Sequence, residues 1–165
     1  MKRLNKKIAI ITGAASGIGK AITQRFSSEG ANVVIADYAK DKADVLAKNL
    51  ASKGANTFPI YFSADNLESC RQLINSVFEH YGQIDILINN IGGSNLTLDK
   101  DIEHLDINYF DEIFHINIRC ATYLTQLVIP FLERQNGGNI INIASISGIT
   151  GDYQGTYYGI SKAGI

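Results

Sequence analysis

Short runs of β-branched residues alternate with longer stretches of helical periodicity along this chain of 165 residues. This alternation predicts a doubly wound α/β sheet of parallel strands, because each helix returns the chain to begin a new strand beside an earlier one. The five predicted strands are nearly continuous apolar runs, which is typical of strands buried on both faces. They occupy residues 8–11, 32–37, 57–65, 84–90 and 139–145.

Helical patterns fill the segments between these strands, at residues 17–30, 42–54, 67–82 and about 110–133. Three of the segments end in a glycine, as expected where a helix terminus needs a residue that tolerates positive φ: Gly30, Gly54 and Gly82. No linker or internal repeat interrupts the chain, and its length is close to that of one domain. We therefore expect residues 1–165 to form a single domain.

The composition excludes several classes of partner. A net charge of −1 offers no basic surface for nucleic acid or anionic lipid. No segment reaches the ~18 apolar residues of a membrane span, and the apolar run at residues 8–11 is shorter than the roughly 7–15 residues of a secretory signal. We expect a cytoplasmic protein that acts on a small molecule.

The cysteines and histidines carry no recognisable site. Cys70 and Cys120 lie far apart in the sequence without a CxxC or zinc spacing, so we expect buried, reduced thiols. The three histidines have no metal-ligand spacing either, and we predict no metal site.

A glycine-rich stretch, TGAASGIG at residues 12–19, joins the first strand to the first helix. Glycine at 13, 17 and 19 permits a tight turn and brings backbone N–H groups and the positive end of the helix close to a diphosphate. A plain strand-to-helix turn is the simpler alternative. The position of the stretch between a strand and a helix favours a dinucleotide and the Rossmann fold, with strand order 3-2-1-4-5.

Asp37 supports the same interpretation. It ends the second strand, eighteen residues after Gly19, near the ~20 expected for an acid that binds the ribose 2′-hydroxyl. A carboxylate there repels a 2′-phosphate, and positions 14–16 hold no Arg or Lys to attract one. The pattern predicts NAD as the cofactor in preference to NADP, although a solvated strand end is the alternative for Asp37.

Tyr158 and Lys162 are spaced four residues apart, which would place them on one side of a helix. The spacing alone is weak evidence, since Tyr38 and Lys42 share it. Ser145, thirteen residues before Tyr158, separates the two pairs, because it lies at the predicted carboxyl end of the fifth strand. Ligands of open α/β sheets bind at that end of the strands.

Together these motifs resemble the short-chain dehydrogenase/reductase family, in the branch with a TGxxxGxG loop and a YxxxK active site. The resemblance covers the whole chain and also includes SAD at residues 63–65, NNIG at 89–92 and HINI at 115–118. The family usually has alanine at the position of Ile91. The resemblance implies reversible hydride transfer between a nicotinamide and an alcohol or ketone. It also implies a dimer or tetramer, which members of the family commonly form.

The resemblance also implies roles for single residues. Tyr158 would act as general acid and base, with Lys162 stabilising its phenolate and holding the nicotinamide ribose. Ser145 would bind the substrate oxygen, and Asn117 would anchor a proton-relaying water. The cofactor would contact residues along the glycine loop, the strand ends and the last helix: Gly13, Ser16, Gly17, Ile18, Gly19, Asp37, Asp65, Asn90, Ile91, Gly92, Tyr158 and Lys162.

Structural alternatives exist for four polar residues. Asn117 could cap a local irregularity of its helix. Asp65 could cap the third helix instead of contacting adenine. Asn89 and Asn90 could be turn residues.

The chain has fewer strands than the six of the dinucleotide fold, so we expect a C-terminally incomplete family member. In that case the fifth strand would be an exposed edge. The alternative to an active enzyme is then a dinucleotide-binding module, or a fragment, that binds NAD without turnover.

Overall fold

A computed structural model describes residues 2–151 and 153–165. Five strands form one parallel sheet in the order β3-β2-β1-β4-β5, which confirms the predicted Rossmann arrangement. The strands are β1 Ile8–Thr12, β2 Asn32–Asp37, β3 Thr57–Tyr61, β4 Ile86–Asn89 and β5 Asn139–Asn142. At the centre of the sheet, Ile10 pairs with Val34 on one side and Leu87 on the other.

Seven helices accompany the sheet within the described ranges: α1 Gly17–Ser28, α2 Lys40–Ala51, α3 Leu67–Tyr81, α4 Asn108–Phe114, α5 Cys120–Arg134, α6 Ser147–Thr150 and α7 Thr156–Ala163. A π-helical turn, His115–Arg119, joins α4 to α5. The sequence predicted α4 and α5 as one helix and did not predict α6. None of the helices in the described ranges is long and apolar enough to cross a membrane.

The core is divided by the sheet into two layers. Alternate residues of β1 point to opposite faces, so Ile10 packs with α3 and α5 while Ile11 packs with α1 and α2. This explains why the sequences of β1 and β4 are apolar at every position but the last, since both strands are buried throughout. The sheet edges are β3 and β5, and Ile141 of β5 is 43% exposed, as expected for an edge strand.

Two strands end three or more residues earlier than the sequence predicted, β3 at 61 instead of 65 and β5 at 142 instead of 145. In each case the neighbouring strand has ended. The Phe62 amide donates to the carbonyl of Asp37, the last residue of β2, and the Ile143 amide donates to that of Asn89, the last residue of β4. Past those two bonds, the described residues provide no further strand for either segment to pair with.

Asp85 stabilises the opposite, amino-terminal end of the sheet through hydrogen bonds. Its buried carboxylate accepts hydrogen bonds from the Ile8 amide, Lys7 Nζ and Gln83 Nε2, each at 2.8 Å. Burial by itself would raise the pKa of Asp85, but the hydrogen bonds from Ile8, Lys7 and Gln83 outweigh it and lower that pKa below its ordinary value of 3.8.

Cys70 of α3 and Cys120 of α5 are both buried in the layer formed by those helices, as predicted. The fold also places the two thiols in one core cluster, which their distance in the sequence did not suggest. Contact with Cys70, together with burial, raises the pKa of the Cys120 thiol. The hydrogen bond from Cys120 lowers the pKa of the Cys70 thiol, so only Cys120 is held as a neutral core side chain.

Candidate active site

The glycine loop folds as its sequence predicts. Gly13 and Gly17 have φ of 62° and 50°, in the left-handed region that favours glycine. A Cβ on Gly19 would lie 2.1 Å from the carbonyl oxygen of Gly13, so only glycine lets α1 begin this close to the end of β1. The turn from strand to helix thus depends on three glycines for backbone reasons alone.

The amino terminus of α1 is open to solvent and uncapped. Ser16 precedes the helix in an extended conformation, and its side chain makes no capping hydrogen bond. The first turn contains no acidic residue, and Ile18 is 63% exposed. Free N–H groups at the positive end of a helix form an anion-binding site, so these residues fit a diphosphate.

Asp37 lies directly beside this loop. Its Oδ2 accepts from the Ala15 amide at 2.8 Å, and its Oδ1 accepts from the Ala39 amide at 2.9 Å. The carboxylate is buried and held from two sides, so its position is fixed relative to the glycine loop. Each oxygen keeps a further lone pair that can accept from a ribose hydroxyl.

The segment after β4 is tied to the glycine loop. Asn90 Nδ2 donates to the Thr12 and Gly13 carbonyls at 2.9 and 3.3 Å, and the Ile91 amide donates to Thr12 Oγ1 at 3.1 Å. Asn90 therefore has a structural task whether or not it contacts a cofactor. Thr12, which the sequence analysis did not single out, links the ends of β1 and β4.

Tyr158 and Lys162 lie on the same side of α7. The Lys162 nitrogen is 5.9 Å from the centre of the Tyr158 ring and donates to the Ile143 carbonyl at 2.9 Å. Lys162 is only 5% exposed, and burial lowers its pKa. No carboxylate pairs with it in the part of the chain that the structure describes. A buried, unpaired cation is costly to a fold and indicates a functional site.

Asn117 lies in the π-helical turn and is fully buried. Its Oδ1 accepts from the Gly93 amide at 2.9 Å, while Nδ2 donates to the Gly93 carbonyl at 3.1 Å and to Ser161 Oγ at 2.8 Å. The backbone irregularity considered for this residue is thus present. The side chain does not cap it, however, but joins the segment after β4 to α7. π-Helical turns often occur at functional sites.

Ser145 follows β5 by three residues, and its Oγ accepts from the Ser147 amide at 3.2 Å. A cavity of about 330 Å³ lies against Tyr158, and its described lining includes Ser147 but not Ser145. The remaining lining residues are Gly93, Ser94, Leu96, Gln154 and Gly155. Ser147 and Ser94 were missed because their surroundings in the sequence carry no periodic pattern.

Asp65 is exposed, and its carboxylate is in contact with the Ser63 hydroxyl. The alternative that Asp65 caps α3 is wrong. The cap is Asn66, whose Oδ1 accepts from the Glu68 amide at 2.9 Å. Asp65 instead lines a second cavity of about 620 Å³, which also reaches Tyr38 and His115 and is located past the ends of β2 and β3.

His104, one of the three histidines for which no role was predicted, lies in a surface cluster with Asp101 and Glu103. His104 Nδ1 is 2.7 Å from Asp101 Oδ1, and possible ligand atoms of Asp101, Glu103 and His104 lie within 4.8 Å of one another. Glu103 and His104 are exposed, and such groups are common on protein surfaces.

The fold and the loop define a dinucleotide-binding α/β protein with a Tyr-Lys pair at the carboxyl ends of its strands. Residues 7–165 match the family model for short chain dehydrogenases, and the chain belongs to that family. It is 57% identical over its full length to a 7α-hydroxysteroid dehydrogenase of Bacteroides fragilis, and 35% identical over 99% of its length to a 3-oxoacyl-(acyl-carrier-protein) reductase of Thermotoga maritima.

Among solved structures, that of a 7α-hydroxysteroid dehydrogenase complexed with NADH and 7-oxo glycochenodeoxycholic acid superimposes on 98% of this chain, with a TM-score of 0.92 and 32% identity. The chain spans 64% and 65% of the lengths of the Bacteroides and Thermotoga relatives and 62% of that solved chain.

Proposed function

We propose that this protein is an NAD-dependent oxidoreductase that interconverts a secondary alcohol and a ketone, with a hydroxysteroid as its substrate. The observation that carries the proposal is the buried Lys162 ammonium beside the Tyr158 ring, without a carboxylate partner among the described residues. A cation placed there stabilises a phenolate, which is the base that such a reaction needs.

The residues around the glycine loop would hold the cofactor. The open amino terminus of α1 would bind the diphosphate, and Asp37 would accept from the adenosine ribose. Gly92 adjoins Lys162 and Asn117, so the nicotinamide end would lie near them. A bound nicotinamide dinucleotide supplies the hydride acceptor for oxidation and the donor for reduction.

The protein's own part is proton transfer and orientation. Tyr158 would take the proton of the substrate hydroxyl during oxidation and return one during reduction. Ser145 would donate a hydrogen bond to the substrate oxygen and hold it toward Tyr158. For Asn117, both donor hydrogens are used within the protein, whereas Oδ1 keeps a lone pair that could hold a relaying water near Lys162.

The surroundings of the cavity support a bulky apolar substrate. Leu96 lines it and is 71% exposed, and the neighbouring segment carries Ile146, Ile149 and Tyr153 with exposures of 68%, 85% and 83%. Large apolar side chains clustered in exposed segments mark a binding surface. A steroid skeleton, as in the ligand of the solved relative, has the size and apolar character to cover them.

The experiment is to mix the purified chain with NAD and a 7α-hydroxy bile acid and to follow formation of NADH by its absorbance. Tyr158→Phe should retain NAD binding and lose turnover. Tyr81→Phe is the matched control, because the Tyr81 hydroxyl is buried without a partner in the described part of the chain and lies at the far end of α3. NAD binding without turnover in the parent chain would support the binding-module alternative.

The proposal also includes a preference for NAD over NADP and a dimeric or tetrameric state. Comparing the affinities for the two cofactors tests the first, and light scattering at several protein concentrations tests the second.

A further inference from the structure

Asp99 is a fully buried carboxylate in the long segment between β4 and α4. No cation pairs with it among the residues that the structure describes. Burying a carboxylate is costly unless hydrogen bonds and oriented dipoles stabilise its charge. The hydrogen-bond donors around Asp99 therefore identify the groups that stabilise its charge.

Three donors surround the carboxylate. Oδ1 accepts from the Tyr157 amide at 2.9 Å, and Oδ2 accepts from the Tyr158 amide at 2.9 Å and from Ser94 Oγ at 2.7 Å. The two amides belong to the first turn of α7, where the positive end of the helix adds to the stabilisation. Asp99 thus caps the helix that carries Tyr158 and Lys162.

Helix α7 has no cap of its own. The residue before it, Gly155, has φ 85° and no side chain, whereas a local cap is normally Ser, Thr, Asp or Asn. Two further hydrogen bonds complete the long-range cap. The Gly155 amide donates to the Asp99 carbonyl at 3.0 Å, and the Thr156 hydroxyl donates to the Lys100 carbonyl at 2.9 Å. The start of the helix is held from a segment more than fifty residues away in the sequence.

Asp99 Oδ2 accepts from two residues on two walls of one cavity. Ser94 and Tyr158 both line the cavity of about 330 Å³, and both donate to Asp99 Oδ2. Behind it, Tyr109 OH accepts from the Asn95 amide at 2.8 Å, and Tyr109 packs in one cluster with Tyr157. The segment that carries Asp99 is consequently held by α4, through Tyr109, as well as by α7.

We propose that Asp99 is a positioning residue, which sets the place of Tyr158 relative to Ser94 by capping α7 from across the cavity. This inference rests on the proposed function only for its effect on turnover. The cap itself can be measured without substrate. A displacement of about 1 Å at a reacting group can cost on the order of a hundredfold in rate.

The test compares Asp99→Asn with the matched control Asp101→Asn. The control lies two residues away, and its side chain bonds only within its own segment, to the Glu103 amide and His104. Hydrogen exchange of the Tyr157 and Tyr158 amides should accelerate by about tenfold or more in Asp99→Asn, since a carboxamide cannot accept from all three donors. Asp101→Asn should leave it unchanged.

Turnover supplies the second measurement. Asp99→Asn should lower kcat about tenfold to a hundredfold while the Kd for NAD and the KM for the alcohol stay within about twofold of the parent, because only the orientation of Tyr158 changes. Faster amide exchange with unchanged kcat would overturn the positioning role, and unchanged exchange would overturn the cap.

Two further outcomes are informative. If the parent has no turnover, the proposed function fails and the exchange measurement still decides the cap. If Asp99→Asn does not fold, the parent alone decides: its Tyr157 and Tyr158 amides should exchange as slowly as those of β1, and exchange at the rate of a frayed helix end would overturn the proposal.

Discussion

The Lys162 ammonium occupies the space that a side chain on Gly92 would need. A Cβ added to Gly92 would lie 2.6 Å from Lys162 Nζ and 3.3 Å from Asn117 Oδ1. Both groups are buried and hydrogen-bonded where they are, to the Ile143 carbonyl and to Gly93 respectively. The glycine at this position is therefore required by the lysine, independently of any cofactor contact.

Gly92→Ala should displace the ammonium and leave the fold intact. The lysine is the flexible partner, so it will move and lose its bond to the Ile143 carbonyl. We expect hydride transfer to fall by more than about a hundredfold, the scale on which a general base contributes. The melting temperature should change little. Gly93→Ala, where a methyl group meets open space, provides the control for a Cβ in this segment and should also melt as the parent does.

Lys162→Met should abolish turnover and raise stability at neutral pH. Burial lowers the pKa of Lys162, so the folded state holds the charged ammonium at a cost that methionine does not have. As pH rises through the folded pKa toward the ordinary value of 10.5, the parent gains stability, because only its unfolded state still binds the proton. The difference between the two melting temperatures should therefore narrow with rising pH. A constant difference from neutral to alkaline pH would contradict this account.

The sheet, its strand order and the glycine loop could be predicted from the sequence, because buried parallel strands leave continuous apolar runs and the loop combines an unusual composition with a fixed place. Strand ends were harder to predict, since β3 and β5 stop where their neighbours stop and not where their own apolar runs end. At the candidate site, the four-residue spacing predicted that Tyr158 and Lys162 would share one side of a helix, and both lie on that side of α7.

The site residues that the sequence did not reveal act over long distances in the chain. Asp99 caps α7 from the 93–108 segment, and its sequence surroundings resemble those of any polar loop. The one available signal was the missing cap: Gly155 precedes a helix without offering a side-chain acceptor, so a partner had to come from elsewhere. The role of Asn117 in joining Gly93 to Ser161 likewise depends on contacts that no local pattern records.

Asp37→Asn should reduce the preference for NAD and also loosen the glycine loop. A carboxamide loses the charge that would repel a 2′-phosphate and can no longer accept equally from the Ala15 and Ala39 amides. We expect the Kd for NAD to rise about tenfold, as for a lost hydrogen bond to a charged group, and the Kd for NADP to change less. Isothermal titration with both cofactors measures this, and an unaltered ratio of the two constants would show that Asp37 does not face the ribose.

Asp85→Asn should destabilise the protein at neutral pH and remove part of its acid sensitivity. The folded pKa of Asp85 is below 3.8, so its contribution to stability is complete above that value and is lost as pH falls through the folded pKa. Replacing it leaves the Ile8 amide and Lys7 with a weaker acceptor, at a cost of about 1–3 kcal/mol in the free energy of unfolding. Urea unfolding from pH 7 down to pH 3 should show the two proteins converging toward the acid end. Lys40→Gln, which removes a partly exposed ion pair with Asp44 in α2, is the control and should cost well under about 1 kcal/mol at every pH.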